Sequence, residues 1–340
     1  MFKKNVFSFL ILLFIISLVI FSSSNLQSAK YGLIIWATSV VPSLFPFFVA
    51  TELLSFTNIS QILGRIFSIF MKPLFNINGE GAFAVIMGLI CGYPVGAKIA
   101  CDFRKNNILS KIECERLLSF TNNSNPIFII GTVGISMYGS SLIGFLLLIT
   151  HIISSFTVGF LFKFWNNTHL SEKINYNIES KKRSISFSNI GEIISNSIYS
   201  AISTLMIIGG FIVLFSVIIS ILKVSHLLSV FTIFVYPIFK LLHIPLTFAS
   251  SFLIGLLEIT NGISIISNIH IKFISINLIL TSFLLGIGGI SVFLQILSIT
   301  SKTDLSIKPY IIGKILQGLF SAFFTFIFIK MFPIFNLNLY

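Results

Sequence analysis

The stretch from Gly88 to Lys98, Gly-Leu-Ile-Cys-Gly-Tyr-Pro-Val-Gly-Ala-Lys, is a polar, glycine-punctuated turn inside a long apolar run. The arm before it, Gly81 to Cys91, has eleven residues. As helix it reaches about 16 Å at 1.5 Å per residue, about half of a bilayer core roughly 30 Å thick. Such an arm cannot cross. Gly92 and Gly96 accept backbone angles that other residues avoid, and Pro94 lacks an N–H and ends the preceding helix. The chain is therefore expected to turn at mid-membrane and to descend from near Ala97, as a re-entrant hairpin. The descending helix points uncapped N–H groups and a positive dipole end at the membrane centre, with Lys98 in its first turn, a geometry that attracts anions. Non-helical backbone at that depth survives only where protein or a watery cavity covers it, which makes the tip a candidate binding site.

The rest of the composition agrees with a membrane setting. The 340 residues are 55% hydrophobic and 9% charged, with a mean hydropathy of +1.01. The net charge of +12 invites a nucleic-acid reading, but the basic residues fall in short clusters between apolar runs, where positive-inside topology accounts for them. No nucleic-acid partner is expected. Cys91, Cys101 and Cys114 have neither CxxC nor Cys/His spacing, so no metal site and no disulfide framework is expected. Lys3-Lys4 followed by Val6 to Phe21 has an apolar core longer than a signal peptide's, which reads as an uncleaved first helix.

Taken in order, residues 1–30 read as that helix and a short external loop. A second span, Tyr31 to Phe56, contains Pro42 and Pro46 and is expected to be kinked. Ile62 to Phe75, with Arg65 and Lys72, reads as an amphipathic interfacial segment. The hairpin (81–105) follows, then a charged connector, Asp102 to Arg116. Next comes a helix over 117–138 broken at Asn122-Asn-Ser-Asn-Pro126, because five polar or helix-breaking residues in a row are costly in lipid. Ser141 to Trp165 closes the unit 31–165. Residues 166–190 are polar and basic and read as a cytoplasmic linker.

The plan then recurs over 191–340. Ile193 to Leu222 is a span, and Val230 to His243 contains Tyr-Pro-Ile-Phe239, an echo of Lys-Pro-Leu-Phe75. A second hairpin (246–270) turns at Glu258-Ile-Thr-Asn-Gly262. A second broken helix (274–299) is interrupted at Gly286-Ile-Gly-Gly-Ile-Ser291, and Tyr310 to Met331 closes the unit. With the N-terminus in the cytoplasm and both hairpins re-entrant, most of the 22 Lys and Arg fall on the inside, as the positive-inside rule requires. The hairpins then enter from opposite faces. The reading is an all-α polytopic membrane protein with two inverted-topology repeats, re-entrant helical hairpins and broken transmembrane helices, the pattern of a secondary transporter with a midplane site. The tips Gly92 to Gly96 and Ile259 to Gly262 are expected to approach each other.

Four stretches carry a resemblance: Gly92-Tyr-Pro-Val-Gly-Ala-Lys98, Asn122-Asn-Ser-Asn-Pro-Ile-Phe-Ile-Ile-Gly-Thr-Val-Gly134, Gly255-Leu-Leu-Glu-Ile-Thr-Asn-Gly262 and Gly289-Ile-Ser-Val-Phe-Leu-Gln295. The chain resembles the sporulation integral membrane proteins called YlbJ or SpoVV, which carry the Gate, or nucleoside-recognition, domain. The resemblance covers both halves. It implies a transporter, related in plan to concentrative nucleoside transporters, that carries dipicolinic acid across the outer forespore membrane of endospore formers. A nucleoside or other small anion, or a non-transporting scaffold role, is the alternative.

The candidate substrate-binding residues are Gly92, Tyr93, Pro94, Gly96, Lys98, Asn122, Asn123, Ser124, Asn125, Glu258, Thr260, Asn261, Ser291 and Gln295. Lys98 either meets a carboxylate or snorkels toward an interface. Glu258, an acid inside an apolar arm, must pair, protonate or line water; it could bind a proton or cation or answer Lys98. The asparagines and Ser124 offer the donors and acceptors that a pyridine dicarboxylate needs, or serve as interhelical glue. Glu52 reads as a solvated cap and His151 as a packed histidine. The glycines at 286, 288 and 289 follow no strand and match no phosphate loop; they read as sites of close backbone approach. No Ser/His/Asp set, metal cluster or paired carboxylates converge, so no enzyme is expected. The expected partners are the bilayer and a small anion such as dipicolinate. No cofactor is expected; a coupling proton or sodium ion, and a homo-oligomer, stay open.

Overall fold

The computed structural model describes residues 2–166, 190–270 and 275–331. The expected basic linker lies mostly outside them. Every described element is helical. The chain runs α1 (Phe2–Ile20), α2 (Ser22–Ile35), a π turn (Trp36–Val40), α3 (Val41–Ser55), α4 (Ile59–Phe75), α5 (Gly81–Ile90), α6 (Val95–Lys105) and α7 (Lys111–Phe120). A π-helical segment (Ile127–Met137) and α8 (Ser141–Phe162) complete the first half. The second half holds α9 (Ile190–Val224), α10 (Leu227–Leu241), a 3-10 turn (Leu246–Phe248), α11 (Ala249–Leu257), α12 (Ile259–Ser267), α13 (Ser275–Ile287), α14 (Gly289–Thr300) and α15 (Lys308–Met331). By length and composition α8, α9, α13 with α14, and α15 can each cross a membrane. The chain is an all-α polytopic membrane protein.

Two early elements differ from expectation. Residues 22–30, read as a loop, are helical, and α1 meets the following helix at 99°. The polar residues there serve the bend: Asn25 Nδ2 donates to Ser17 O (3.1 Å), and the Ser17 hydroxyl donates to Leu13 O (2.8 Å). The kink expected at Pro42 takes the form of the π turn before it. Pro42 supplies no N–H, and the Val41 N–H reaches back to Trp36 O, so the chain shifts its hydrogen-bond register around the proline.

The two halves interlock by exchanging partners. Helix α6 packs on α14 and α12 on the π-helical segment, while α15 packs on α7 and α8 on α13; α8 and α15 also pack on each other. Helices α2 and α3 lie against α9, where Trp36 Nε1 donates to Leu205 O (2.9 Å). Helices α4 and α10 expose apolar side chains, among them Ile66, Ile69, Phe231 and Phe234, beside the charged Arg65, Lys72 and Lys240.

Side-chain contacts fix which face each hairpin enters from. At the Trp165 end of α8, Arg116 donates to Trp165 O (2.9 Å) and Asn76 O (2.6 Å). There Glu115 accepts from Trp165 Nε1 (3.2 Å) and from Ser306 N (3.0 Å), and Arg104 forms a two-pronged pair with Asp304 (2.9 and 2.8 Å). The open end of the first hairpin belongs to this face. At the other end of α8, the Tyr138 and Thr281 hydroxyls are hydrogen-bonded (2.7 Å). Asn277 Nδ2 donates to Ile266 O (2.7 Å) and Ile269 O (2.8 Å), at the open end of the second hairpin. A 22-residue α8 spans about 33 Å. The hairpins therefore enter from opposite faces.

Glycine decides how closely α13 and α15 approach. A Cβ on Gly286 would lie 2.6 Å from Gly318 Cα and 2.8 Å from Gln317 O, atoms of backbone that cannot swing aside, whereas one on Gly210 of α9 would meet nothing within 4 Å. Gly286→Ala is expected to destabilise the protein by about 1–3 kcal/mol through overpacking. Gly210→Ala is expected to be neutral or to stabilise by up to about 1 kcal/mol through helix propensity. Thermal unfolding in detergent compares them. The Arg104 pair gives a second expectation. Its hydrogen bonds hold the Asp304 carboxyl below the usual carboxylate range. The folded-state value is depressed, so the stabilisation is complete above the unfolded value of about 3.9 and is lost as pH falls through the lower folded value. Amide-exchange protection of residues 301–307 should be flat from pH 7 to 5 and should fall below about pH 4. Asp304→Asn should show the low-pH behaviour throughout.

Candidate functional site

The helix break between α7 and the π-helical segment, Thr121 to Pro126, is buried: Asn122, Asn123, Ser124 and Asn125 are each 8% exposed or less. Interrupting a helix inside the fold frees backbone groups that must find partners. Asn125 meets one need, because its Oδ1 accepts from Phe128 N (2.6 Å) and caps the helix that follows. Asn123 meets more: its Nδ2 donates to Phe120 O (2.8 Å) and Ser155 Oγ (3.2 Å), and its Oδ1 accepts from Gln317 Nε2 (2.7 Å). These two asparagines are committed to the fold. Asn122 and Ser124 are not. Asn122 Nδ2 only grazes the Tyr310 hydroxyl at 3.5 Å and its Oδ1 has no partner; the Ser124 N–H donates to His151 Nε2 (3.3 Å), and its hydroxyl has none.

The first hairpin tip rests on this break. The Tyr93 N–H donates to Asn123 O (2.7 Å), and Gly92 adopts φ +81 with Asn125 directly against it. Gly88 and Gly96 lie on Thr121 O, where no Cβ fits. The Tyr93 ring faces the Ser124 hydroxyl without closing a hydrogen bond and lies within electrostatic range of Glu258 at the second hairpin tip.

The second tip is tighter than the sequence suggested. Glu258 alone makes the turn, in extended conformation, and its carboxylate accepts from Thr260 N (3.1 Å) and Asn261 N (2.8 Å). The acid supplies the acceptors that the first N–H groups of α12 need, so the helix starts at once and Thr260 to Gly262 belong to its first turn. The tip packs on the second break: Gly288 and Gly289 have φ +82 and +77, and a Cβ on Gly289 would lie 3.2 Å from Gly255 O. Ser291 and Gln295 are one turn apart and buried on α14, and Gln295 Oε1 is unpartnered.

Lys98 lies elsewhere. It forms an ion pair with Glu52 of α3 and donates to Ser200 Oγ of α9 (2.8 Å). Helical geometry explains the direction. Gly96 faces Thr121, and two residues on is about 200° round the helix. Lys98 therefore points away from the breaks, and Glu52, read as a solvated cap, is its partner instead of Glu258. Both line a cavity of about 40 Å³ with Thr51, Pro94, Asp102 and Thr204, room for two or three waters.

The cation at the breaks is Lys314 of α15, 4% exposed. Its Nζ donates to Asn122 O (2.9 Å) and Gln317 Oε1 (2.8 Å), and its Cε lies 3.8 Å from where a Cβ on Gly288 would be. One side chain thus touches both breaks. Among the described residues no carboxylate lies within ion-pair distance of it. With Tyr310, Gln317 and His151, whose Nδ1 is unpartnered, Lys314 completes a buried polar centre that the candidate residues only half described. The available signal was a lysine and a glutamine at i and i+3 on one face of an apolar span.

The Gate family, described as nucleoside recognition, matches residues 37–167, which hold the first hairpin and the first break. No solved structure matches the chain. The chain is 34% identical over 314 residues to the sporulation integral membrane protein YlbJ of Bacillus subtilis (strain 168), an alignment that covers 89% of this chain and 77% of YlbJ. It belongs to the family of sporulation integral membrane proteins that includes YlbJ.

Proposed function

We propose that the chain is a secondary transporter that moves a small aromatic dicarboxylate, dipicolinic acid, across the outer forespore membrane by alternating access around the centre of the two breaks. One observation carries the transport reading. Side-chain atoms of Asn122, Ser124 and His151, buried where a break and a hairpin tip converge, have no partner in the fold. A buried polar group without a partner costs roughly 1–3 kcal/mol, and a site that waits for a polar ligand repays that cost when the ligand binds. Family membership supports a role in sporulation; the substrate follows from the resemblance of the quoted motifs. The Gate match, described as nucleoside recognition, favours a nucleoside as the second reading. No chemical conversion of the substrate is proposed, and the partners are the bilayer and the transported anion.

Uptake into vesicles carrying the purified protein tests the substrate. Labelled dipicolinate should enter saturably and unlabelled nucleosides should not compete. Nucleoside uptake without dipicolinate uptake would favour the second reading, and uptake of neither would favour a scaffold. Within the site, Ser124→Ala should lower dipicolinate uptake about 2- to 10-fold, the worth of one hydrogen bond, with unchanged thermal stability, because that hydroxyl bonds nothing in the fold. Asn123→Ala should instead lower the amount of folded protein.

A further inference from the structure

A carboxylate carried into a buried site needs a counter-charge, since an isolated ion in a low-dielectric interior is costly. The hairpin lysine is not available for this, because Glu52 already neutralises Lys98. Lys314 has the opposite character. It is buried at the junction of both breaks, and its two hydrogen-bond acceptors, Asn122 O and Gln317 Oε1, are neutral oxygens. Beside a bound carboxylate the amine is held as an ammonium, which has three donors, so one N–H is left for the anion. Asn122, whose carbonyl Lys314 holds, also carries an unpartnered side-chain oxygen, and two residues on the Ser124 hydroxyl is free to donate.

We infer that Lys314 is the residue that receives a carboxylate of the transported anion, with its third N–H as donor and Ser124 as an auxiliary one. The inference rests on the carboxylate reading above and adds to it the group that makes the site selective for an anion. Gln317 is then a positioning residue: it holds Nζ against the first break and ties Asn123 to the same point through Nε2 (2.7 Å). The aliphatic stem, lying along Gly288, makes occupancy of the site sensible to the second break as well.

Equilibrium binding to the full chain in lipid nanodiscs tests this with three probes: pyridine-2,6-dicarboxylate, pyridine-2-carboxylate and the neutral pyridine-2,6-dicarboxamide. Both acids should bind, and the diamide at least about 10-fold more weakly than the diacid, since a hydrogen bond to a charged group is worth about 10- to 150-fold. Lys314→Met should lower diacid affinity by about 10- to 100-fold. Lys330→Met, which removes an equal charge from the far end of α15, should change it less than 3-fold. If Lys314→Met does not fold, the acid and amide comparison on the wild-type chain decides. Equal affinity for diacid and diamide, or an unchanged Lys314→Met, would overturn the role of Lys314 while carboxylate binding stands. Wild-type protein that binds neither acid would overturn the carboxylate reading and this inference together.

Discussion

Backbone satisfaction away from water governs this structure. A continuous helix meets its own hydrogen-bonding needs, and a helix interrupted inside the bilayer does not. The described residues contain two such interruptions and two re-entrant tips, and their freed groups are met by one another, by the closing helices or by a local cap. The tip at Tyr93 donates to the first break at Asn123, Lys314 donates to Asn122, His151 accepts from Ser124, and Glu258 receives the first N–H groups of α12. The glycines follow from the same need, because these exchanges require backbones to touch. Gly88, Gly96, Gly286 and Gly289 stand where a side chain would hold the partners apart. After this exchange, side-chain atoms of Asn122, Ser124 and His151 remain without a partner.

Much of this was legible in the sequence because bilayer thickness is a hard ruler. An apolar arm of half the needed length announced the first hairpin, and a run of asparagines announced the break. Both lie where expected, and the second hairpin and the closing helices follow. The register of single side chains was less legible. Lys98 sits beside Gly96 in sequence, yet helical rotation sends it to Glu52 and Ser200. Glu258 looked like a titratable group inside an apolar arm, and it caps the helix that it begins. The five-residue turn expected there shrank to one residue for the same reason. Residues 22–30 looked like a loop because they are polar, but serine and asparagine can also bond backbone locally at a bend.

Lys314 shows what a linear reading loses. In sequence it is one cation in a closing helix, nearly 200 residues from Asn122, and only the exchange of helices between halves brings α15 against α7. The candidate site is thus shared: hairpin tips supply shape, the first break supplies free polar atoms, and the closing helix of the second half supplies charge. Such sharing suits alternating access, since movement of one half against the other alters contacts at the site itself.

The central claim is that this centre is one ligand-accessible site. A cysteine at Ser124, in a chain whose three buried cysteines are replaced by alanine, measures it directly through reaction with a small, charged thiosulfonate reagent in vesicles. The account predicts reaction despite the 3% exposure of this position, and slowing of that reaction by saturating dipicolinate. A cysteine that never reacts, or that reacts at the same rate with and without dipicolinate, would contradict it.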